Sequence, residues 1–312
     1  MKQPPASDVP LTYQWLVPNI KGLENMLAVY GHQKSVSTNA PATPPATPPL
    51  ENDLGSDLDS FYQDLDAPSG TTVDSSKPSL KTSPPESNAI PTPAAPHELS
   101  LFTAATETFT RKNTNCSIAE SLDRFRPIFA RAKDSNMPVR AYISVALGCP
   151  YEGPDTDPHK VAELAVTLLE MGAYEISVAD TTGQGTATKT KKLLKTLAAA
   201  GIANEDLALH FHDTYGQALV NAAVGLEHGV RTFDAAVAGL GGCPYSPGAT
   251  GNVSSEDLVW MCEALAPGST GVDVEKLSAV GEWISKEVVR GNESRAGKAV
   301  LARLRRDTPE RM

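Results

Sequence analysis

Apolar residues recur along this chain at two periods. Between Ser117 and Lys133, Ile118, Leu122, Phe125, Ile128 and Phe129 fall on one stripe, which predicts an amphipathic helix. Val161, Leu164, Ala165, Leu168 and Leu169 repeat that stripe after Thr156-Asp157-Pro158, a helix start with proline near the first turn. Gly172 closes this helix, as Gly201 closes another predicted over Thr188–Ala200. Further helices are predicted over Gly216–His228, Ser255–Leu265 and Asp273–Val289. Between them lie short apolar runs of strand length: His97–Thr103, Val139–Leu147, Tyr174–Asp180, Leu207–His212 and Val230–Ala238. Tyr13–Val17 adds a sixth strand, followed by a helix over Lys21–Val29.

Strand and helix alternate, which means βαβ units and a parallel sheet. Such a sheet is either open and doubly wound or closed into a barrel, and strand count alone does not decide. From residue 34 to residue 96 the rhythm stops. Nearly half of these residues are Pro, Ser or Thr, and Asp53, Asp57, Asp59, Asp64 and Asp66 cluster in the middle. A segment so poor in apolar residues cannot bury enough surface to offset the entropy of ordering it, so disorder is expected. Phe61, Tyr62 and Leu65 form a docking motif on one reading and part of a bland linker on the other. The organisation is therefore a tail over 1–10, a strand and helix over 11–33, an acidic insertion over 34–96, and the main αβ portion with C-terminal helices over 97–312.

Composition narrows the function. The 312 residues are 40% hydrophobic and 21% charged, with a formal net charge of -10. An acidic surface argues against nucleic acid and anionic membranes as partners. Four cysteines, Cys116, Cys149, Cys243 and Cys262, are too few for a disulfide framework in a chain of this length. No apolar run reaches the roughly 20 residues of a membrane span. The first residues show neither a secretory core nor a readable transit pattern.

Three features carry candidate chemistry. His210-Phe211-His212-Asp213 sits at the end of a predicted strand, where alternation points both imidazoles to one face, able to share a metal ion. The alternative is a pair of strand-end residues with ordinary hydrogen bonds; position favours the ligand reading, because functional groups gather at strand carboxyl ends. Ala238-Gly239-Leu240-Gly241-Gly242-Cys243-Pro244-Tyr245 follows the last strand, and a cysteine on a glycine-rich loop is a candidate acid or nucleophile. Cys262, on a helix face with Leu258 and Leu265, reads instead as a small buried hydrophobe. Asn252, after Gly248-Ala249-Thr250-Gly251, offers an amide oxygen to a hard cation or simply stabilises a turn. His32, His97, His159 and His228 take structural readings.

With these residues in place, the chain resembles the hydroxymethylglutaryl-CoA lyases. The resemblance rests on Val237 through Tyr245, Val139-Arg140-Ala141-Tyr142, Leu147-Gly148-Cys149-Pro150-Tyr151-Glu152-Gly153, Asp180-Thr181-Thr182-Gly183, His210 through Leu219, Asn113 through Ser117, and Pro18 through Gly22. It covers about Tyr13–Gly31 and His97–Val289. It implies an α/β fold, a (β/α)8 TIM barrel, and cleavage of 3-hydroxy-3-methylglutaryl-CoA to acetoacetate and acetyl-CoA, as in leucine degradation and ketone-body formation. It implies that His210, His212 and Asn252 bind Mg²⁺ or Mn²⁺. Cys243 would be the catalytic acid and Asp180 would help order the site, with His210 counted as catalytic as well as a ligand. The substrate would be an acyl-CoA, a homodimer is allowed, and the compartment would be mitochondrial, with cytoplasmic as the alternative.

The sequence departs from the family pattern at its start. The family barrel opens with a strand ending in Arg-Asp, and that pair occurs here only as Arg306-Asp307. Tyr13–Val17 corresponds to the family's third strand, so about six of eight barrel strands are expected. Two readings compete. One is a lyase belonging to a longer chain. The other is a non-catalytic binding or interaction module with the acidic insertion facing its partner. The lyase reading is favoured as a family label, and weak or no metal-dependent cleavage is expected of the 312-residue chain by itself. A different member of the superfamily, an isopropylmalate or homocitrate synthase or an aldolase, fits less well, because the cysteine of Gly-Gly-Cys-Pro-Tyr answers to lyase chemistry.

Overall fold

The computed structural model describes residues 12–35, 97–245, 248 and 251–307. The tail over 1–10 and the insertion beyond residue 35 lie outside the described residues, and so does the disorder expected there. Of the described residues, those up to Tyr30 and those from His97 onward belong to one compact unit.

Six strands make one sheet: β1 (Tyr13–Leu16), β2 (His97–Ala104), β3 (Val139–Ser144), β4 (Glu175–Asp180), β5 (Leu207–Phe211) and β6 (Thr232–Asp234). Every pairing is parallel and the order is β1-β2-β3-β4-β5-β6. A doubly wound sheet reverses its strand order at a switch point. This one never reverses, so it is an arc of a (β/α) barrel of six strands. The helices are α1 (Ile20–Ser35), α2 (Glu107–Thr114), α3 (Ile118–Asp134), α4 (Pro158–Glu170), α5 (Ala187–Ala199), α6 (Ala218–Glu227), α7 (Ser255–Leu265), α8 (Val274–Glu287) and α9 (Arg295–Asp307). Their starts follow local chemistry. Ser117 and Glu120 form a reciprocal capping box before α3, and Asp157, Thr186, Ser254 and Asp273 each cap a helix through the side chain.

Alternation along the strands gives the sheet two unlike faces. Leu99, Leu101, Ala141, Ile143, Ile176, Val178, Leu209 and Phe211 join Phe125, Ile128, Leu164, Leu168, Leu194 and Leu197 of the helices in one core. A fully buried side chain such as Leu168 or Leu197 contributes about 2 kcal/mol through burial. The opposite face carries Arg140, Tyr142, Glu175, Ser177, His210 and Asp234, and that polar face holds the site.

Two predicted strands are shorter by three residues or more in the structure. The run over Val139–Leu147 ends as a strand at Ser144, because Val145 turns to φ 54° and donates its N–H to Thr181 Oγ1 at 2.9 Å. The run over Val230–Ala238 keeps only Thr232–Asp234 as strand. Ala236 then bridges to Ser254 and a 3₁₀ turn forms at Val237–Gly239. Helices α2 and α9 add to the predicted set. Helix α2 is mostly polar and buries only Phe109 and Thr110, so no apolar stripe announces it, whereas α9 does carry a stripe of Ala296, Val300 and Leu304 that sequence reasoning missed.

Candidate metal centre and signature loop

His210 lies in β5 between Ala179 of β4 and Asp234 of β6 in the pairing register. His212 follows the strand and bridges to Asn252 through the backbone. Flanking bonds from Asp213 N to Gly251 O and from Val253 N to Phe211 O fix this meeting. The two imidazole centroids are 5.5 Å apart. The structure thus brings together the three residues that the sequence nominated as ligands.

Each is oriented by neighbours. Asp234 Oδ2 is 3.3 Å from His210 Nδ1, which leaves Nε2 as that ring's other nitrogen. His212 is buried. The Asn252 amide donates from Nδ2 to Leu240 O at 3.0 Å, so its orientation is set. Its oxygen Oδ1 is buried and accepts no hydrogen bond.

Behind the histidines runs an ionic network that sequence reasoning missed. Arg140 is 3% exposed; its Nη1 donates to Asp234 Oδ1 and to Tyr142 Oη, each at 2.7 Å, and its Nε lies 2.5 Å from Glu175. Ser177 Oγ donates to Asp234 Oδ2 at 2.7 Å. Burial opposes the charge on Arg140, but Asp234, Tyr142 and Glu175 outweigh it and raise its pKa. Burial likewise opposes ionisation of Asp234, yet the bond to His210 and the charge of Arg140 hold its carboxyl below the usual range. Burial, then Asp234, pushes the Tyr142 phenol up to about 12. The signal available in sequence was a charge inside an apolar strand run, at Arg140 and at Asp234, since an unpaired buried charge is too costly to keep.

Asp180 ends β4 in register with Phe211, one position beyond the pair of Ala179 and His210. Its carboxylate accepts from Gly185 N at 2.8 Å and from Thr182 Oγ1 at 3.4 Å, and so organises the turn into α5. Burial raises its pKa to about 6, against the lowering effect of those turn donors. Gly185 has no room for a side chain there, since a Cβ would lie 2.6 Å from Asp180 Oδ2.

The signature loop closes over this end of the sheet. Ala238 N–H meets both oxygens of Glu256 at 3.1 and 2.9 Å, and Leu240 O takes the Asn252 amide. Gly241 sits at φ 95°, and a Cβ on it would fall 2.5 Å from Asn252 Nδ2. Glycine is needed at that point. Cys243 is half-buried and packs against the core. Cys262 is also part-buried at the edge of the core, whereas Leu265 is 66% exposed. Of the histidines read as structural, His97 accepts from Trp15 Nε1 at 2.8 Å and His228 bonds Val224 O at 2.8 Å in the last turn of α6.

The fold is a parallel (β/α) barrel arc, and two histidines at its strand ends meet an asparagine from the loop before α7, beside a glycine-rich cysteine loop. The chain belongs to the HMGL-like family, whose model matches residues 86–284. A hydroxymethylglutaryl-CoA lyase of Pseudomonas aeruginosa, which also bears the name 3-hydroxy-3-isohexenylglutaryl-CoA lyase, is 49% identical over 206 residues, covering 66% of this chain and 68% of that one. A crystal structure of hydroxymethylglutaryl-CoA lyase from that organism superposes with a TM-score of 0.63 at 49% identity, covering 66% and 68% of the two chains. An HMG-CoA lyase from Acinetobacter baumannii, in complex with coenzyme A and 3-methylmalate, is 34% identical with a TM-score of 0.61, covering 65% of each chain. Lyases named as cytoplasmic and as mitochondrial are both among the relatives. The chain spans 61% and 62% of the length of those two relatives. Lyases of this family depend generally on a divalent metal ion.

Proposed function

We propose that this chain carries the cation-binding and proton-donating part of a hydroxymethylglutaryl-CoA lyase site, acting on 3-hydroxy-3-methylglutaryl-CoA. One observation carries the reading: the buried Asn252 Oδ1, without a hydrogen-bond partner, beside the buried His212. A buried acceptor left unmet costs roughly 1–3 kcal/mol. A bound cation removes that cost.

The donors fit a divalent cation in kind. His210, His212 and Asn252 would hold the cation through two imidazoles and an amide oxygen; the oxygen suits Mg²⁺ or Mn²⁺, the ions that the family resemblance implies, and the imidazoles favour Mn²⁺ of the two. The described residues hold no cluster of three or more His, Cys, Asp or Glu able to bind a metal, so this set includes no carboxylate. When bound, the cation polarises the hydroxyl and carbonyl oxygens of the substrate. Asp234 orients His210 through Nδ1, and Arg140 keeps Asp234 ionised. As the substrate hydroxyl passes its proton to solvent, the adjacent carbon–carbon bond breaks, a ketone forms at that carbon, and the electron pair of the broken bond passes to the acetyl-CoA fragment. Cys243 donates its thiol proton to that carbon. Asp180 orders the site through the turn that it caps. An acyl-CoA is accordingly the substrate class, and the structure of the A. baumannii relative with coenzyme A supports this.

The test is paired. Calorimetry with Mn²⁺ should show binding that weakens in His210→Ala, and metal-dependent cleavage should be lost in Cys243→Ala. Mn²⁺ binding that His210→Ala leaves unchanged would overturn the ligand set. Cleavage that survives Cys243→Ala would overturn the acid.

A further inference from the structure

The signature loop is held in two different ways. Its base is gripped by α7 and by the connection between α8 and α9. Glu256 takes Ala238 N, Glu293 N donates to Ala238 O at 3.0 Å, and Arg290 Nη1 donates to Gly241 O at 3.2 Å. Past Gly241 the loop meets a different part of the molecule: Tyr151 Oη donates to Tyr245 O at 2.6 Å. Tyr151 lies in the connection between β3 and α4, 94 residues away in sequence.

Tyr151 is well placed to hold something still. Cys149 and Gly153 exchange both backbone hydrogen bonds around it, at 2.9 and 3.1 Å. Its neighbour Glu152 accepts from Thr108 N at 2.8 Å, tying this hairpin to the first turn of α2. Its ring lies 6.1 Å from that of the buried Phe109, and Lys112 Nζ sits 4.9 Å from its centroid. Burial, then the nearby Cys243 and Cys149, keeps the phenol pKa above its usual value, so the hydroxyl remains a donor.

We propose that Tyr151 is a positioning residue for Cys243, latching the outer half of the signature loop to the β3–α4 hairpin. This rests on the reading of Cys243 as proton donor. A general acid works only within hydrogen-bond reach of the atom it protonates, and an ångström of misplacement is costly. A loop gripped at its base alone would let the thiol swing. The Tyr245 carbonyl, two residues beyond Cys243, is where a latch acts most directly.

Tyr151→Phe removes the hydroxyl and keeps the ring beside Phe109. Iodoacetamide labelling of Cys243, read by peptide mass spectrometry to separate it from the other cysteines, is expected to run roughly fivefold faster in the variant. Labelling of Cys262 should not change. Wherever cleavage is measured, kcat should fall while KM holds. Unchanged or slower labelling of Cys243 would overturn the latch, and so would a rise in KM with kcat intact. Faster labelling of Cys243 together with Mn²⁺ binding that His210→Ala leaves unchanged would keep the latch and discard the lyase reading.

Discussion

Asp234 Oδ2 lies 3.3 Å from Nδ1 of His210, while its other oxygen takes a 2.7 Å bond from Arg140. One carboxylate thus orients a nominated ligand and is itself kept ionised by a buried guanidinium. Partners of this kind set the tautomer and basicity of a metal-bound histidine. Asp234→Asn should therefore weaken Mn²⁺ binding by about 10- to 100-fold. Titration calorimetry on both proteins decides it, and equal affinities would reduce Asp234 to a structural role.

Asn252→Ala should weaken cation binding in the same assay, since it deletes the buried oxygen that has no other partner. It also deletes the bond from Nδ2 to Leu240 O, so the loop loosens. Full affinity in the variant would show that Asn252 only stabilises its turn.

Arg140→Met should destabilise the fold strongly. The side chain is 3% exposed between Glu175 and Asp234, and its loss strands two carboxylates. Breaking a buried pair in this way costs about 3–5 kcal/mol. Arg140 helps hold the Asp234 carboxyl below the usual range, and that contribution is lost as pH falls, so the difference between the two proteins should shrink toward acid pH. Urea unfolding at two pH values measures it; a small loss independent of pH would contradict the network.

Glu256 supplies a pH dependence away from the nominated ligands. It is fully buried, and burial holds its carboxyl above the ordinary value despite the N–H of Ala238 and its own backbone. As pH rises the unfolded carboxyl ionises first. Stability that is present below the unfolded pKa is lost as pH climbs through the folded one. The melting temperature of the wild type should therefore fall relative to Glu256→Gln between about pH 4 and pH 7. Parallel melting curves would refute this. Gly281→Ala should destabilise through the same carboxylate, because a Cβ there would lie 2.0 Å from Glu256 Oε1.

The sequence by itself determined the alternation of strands and helices, because burial of one face imposes a period that can be read locally. It also determined the nominated site residues. His210 and His212 share a face by strand alternation, and Cys243 stands out on a glycine loop with no apolar stripe around it. The family pattern was legible for the same reason, since it consists of short contiguous motifs. Only the tertiary structure decided between an open doubly wound sheet and a barrel arc, because strand order is a relation between segments far apart in the chain. Only it ended β6 at Asp234, through the pairing of Ala236 with Ser254. Only it joined Arg140 to Asp234 across 94 residues and left Asn252 Oδ1 buried without a donor. Which charge meets which partner, and which acceptor is left over, depends on distances that no local period encodes.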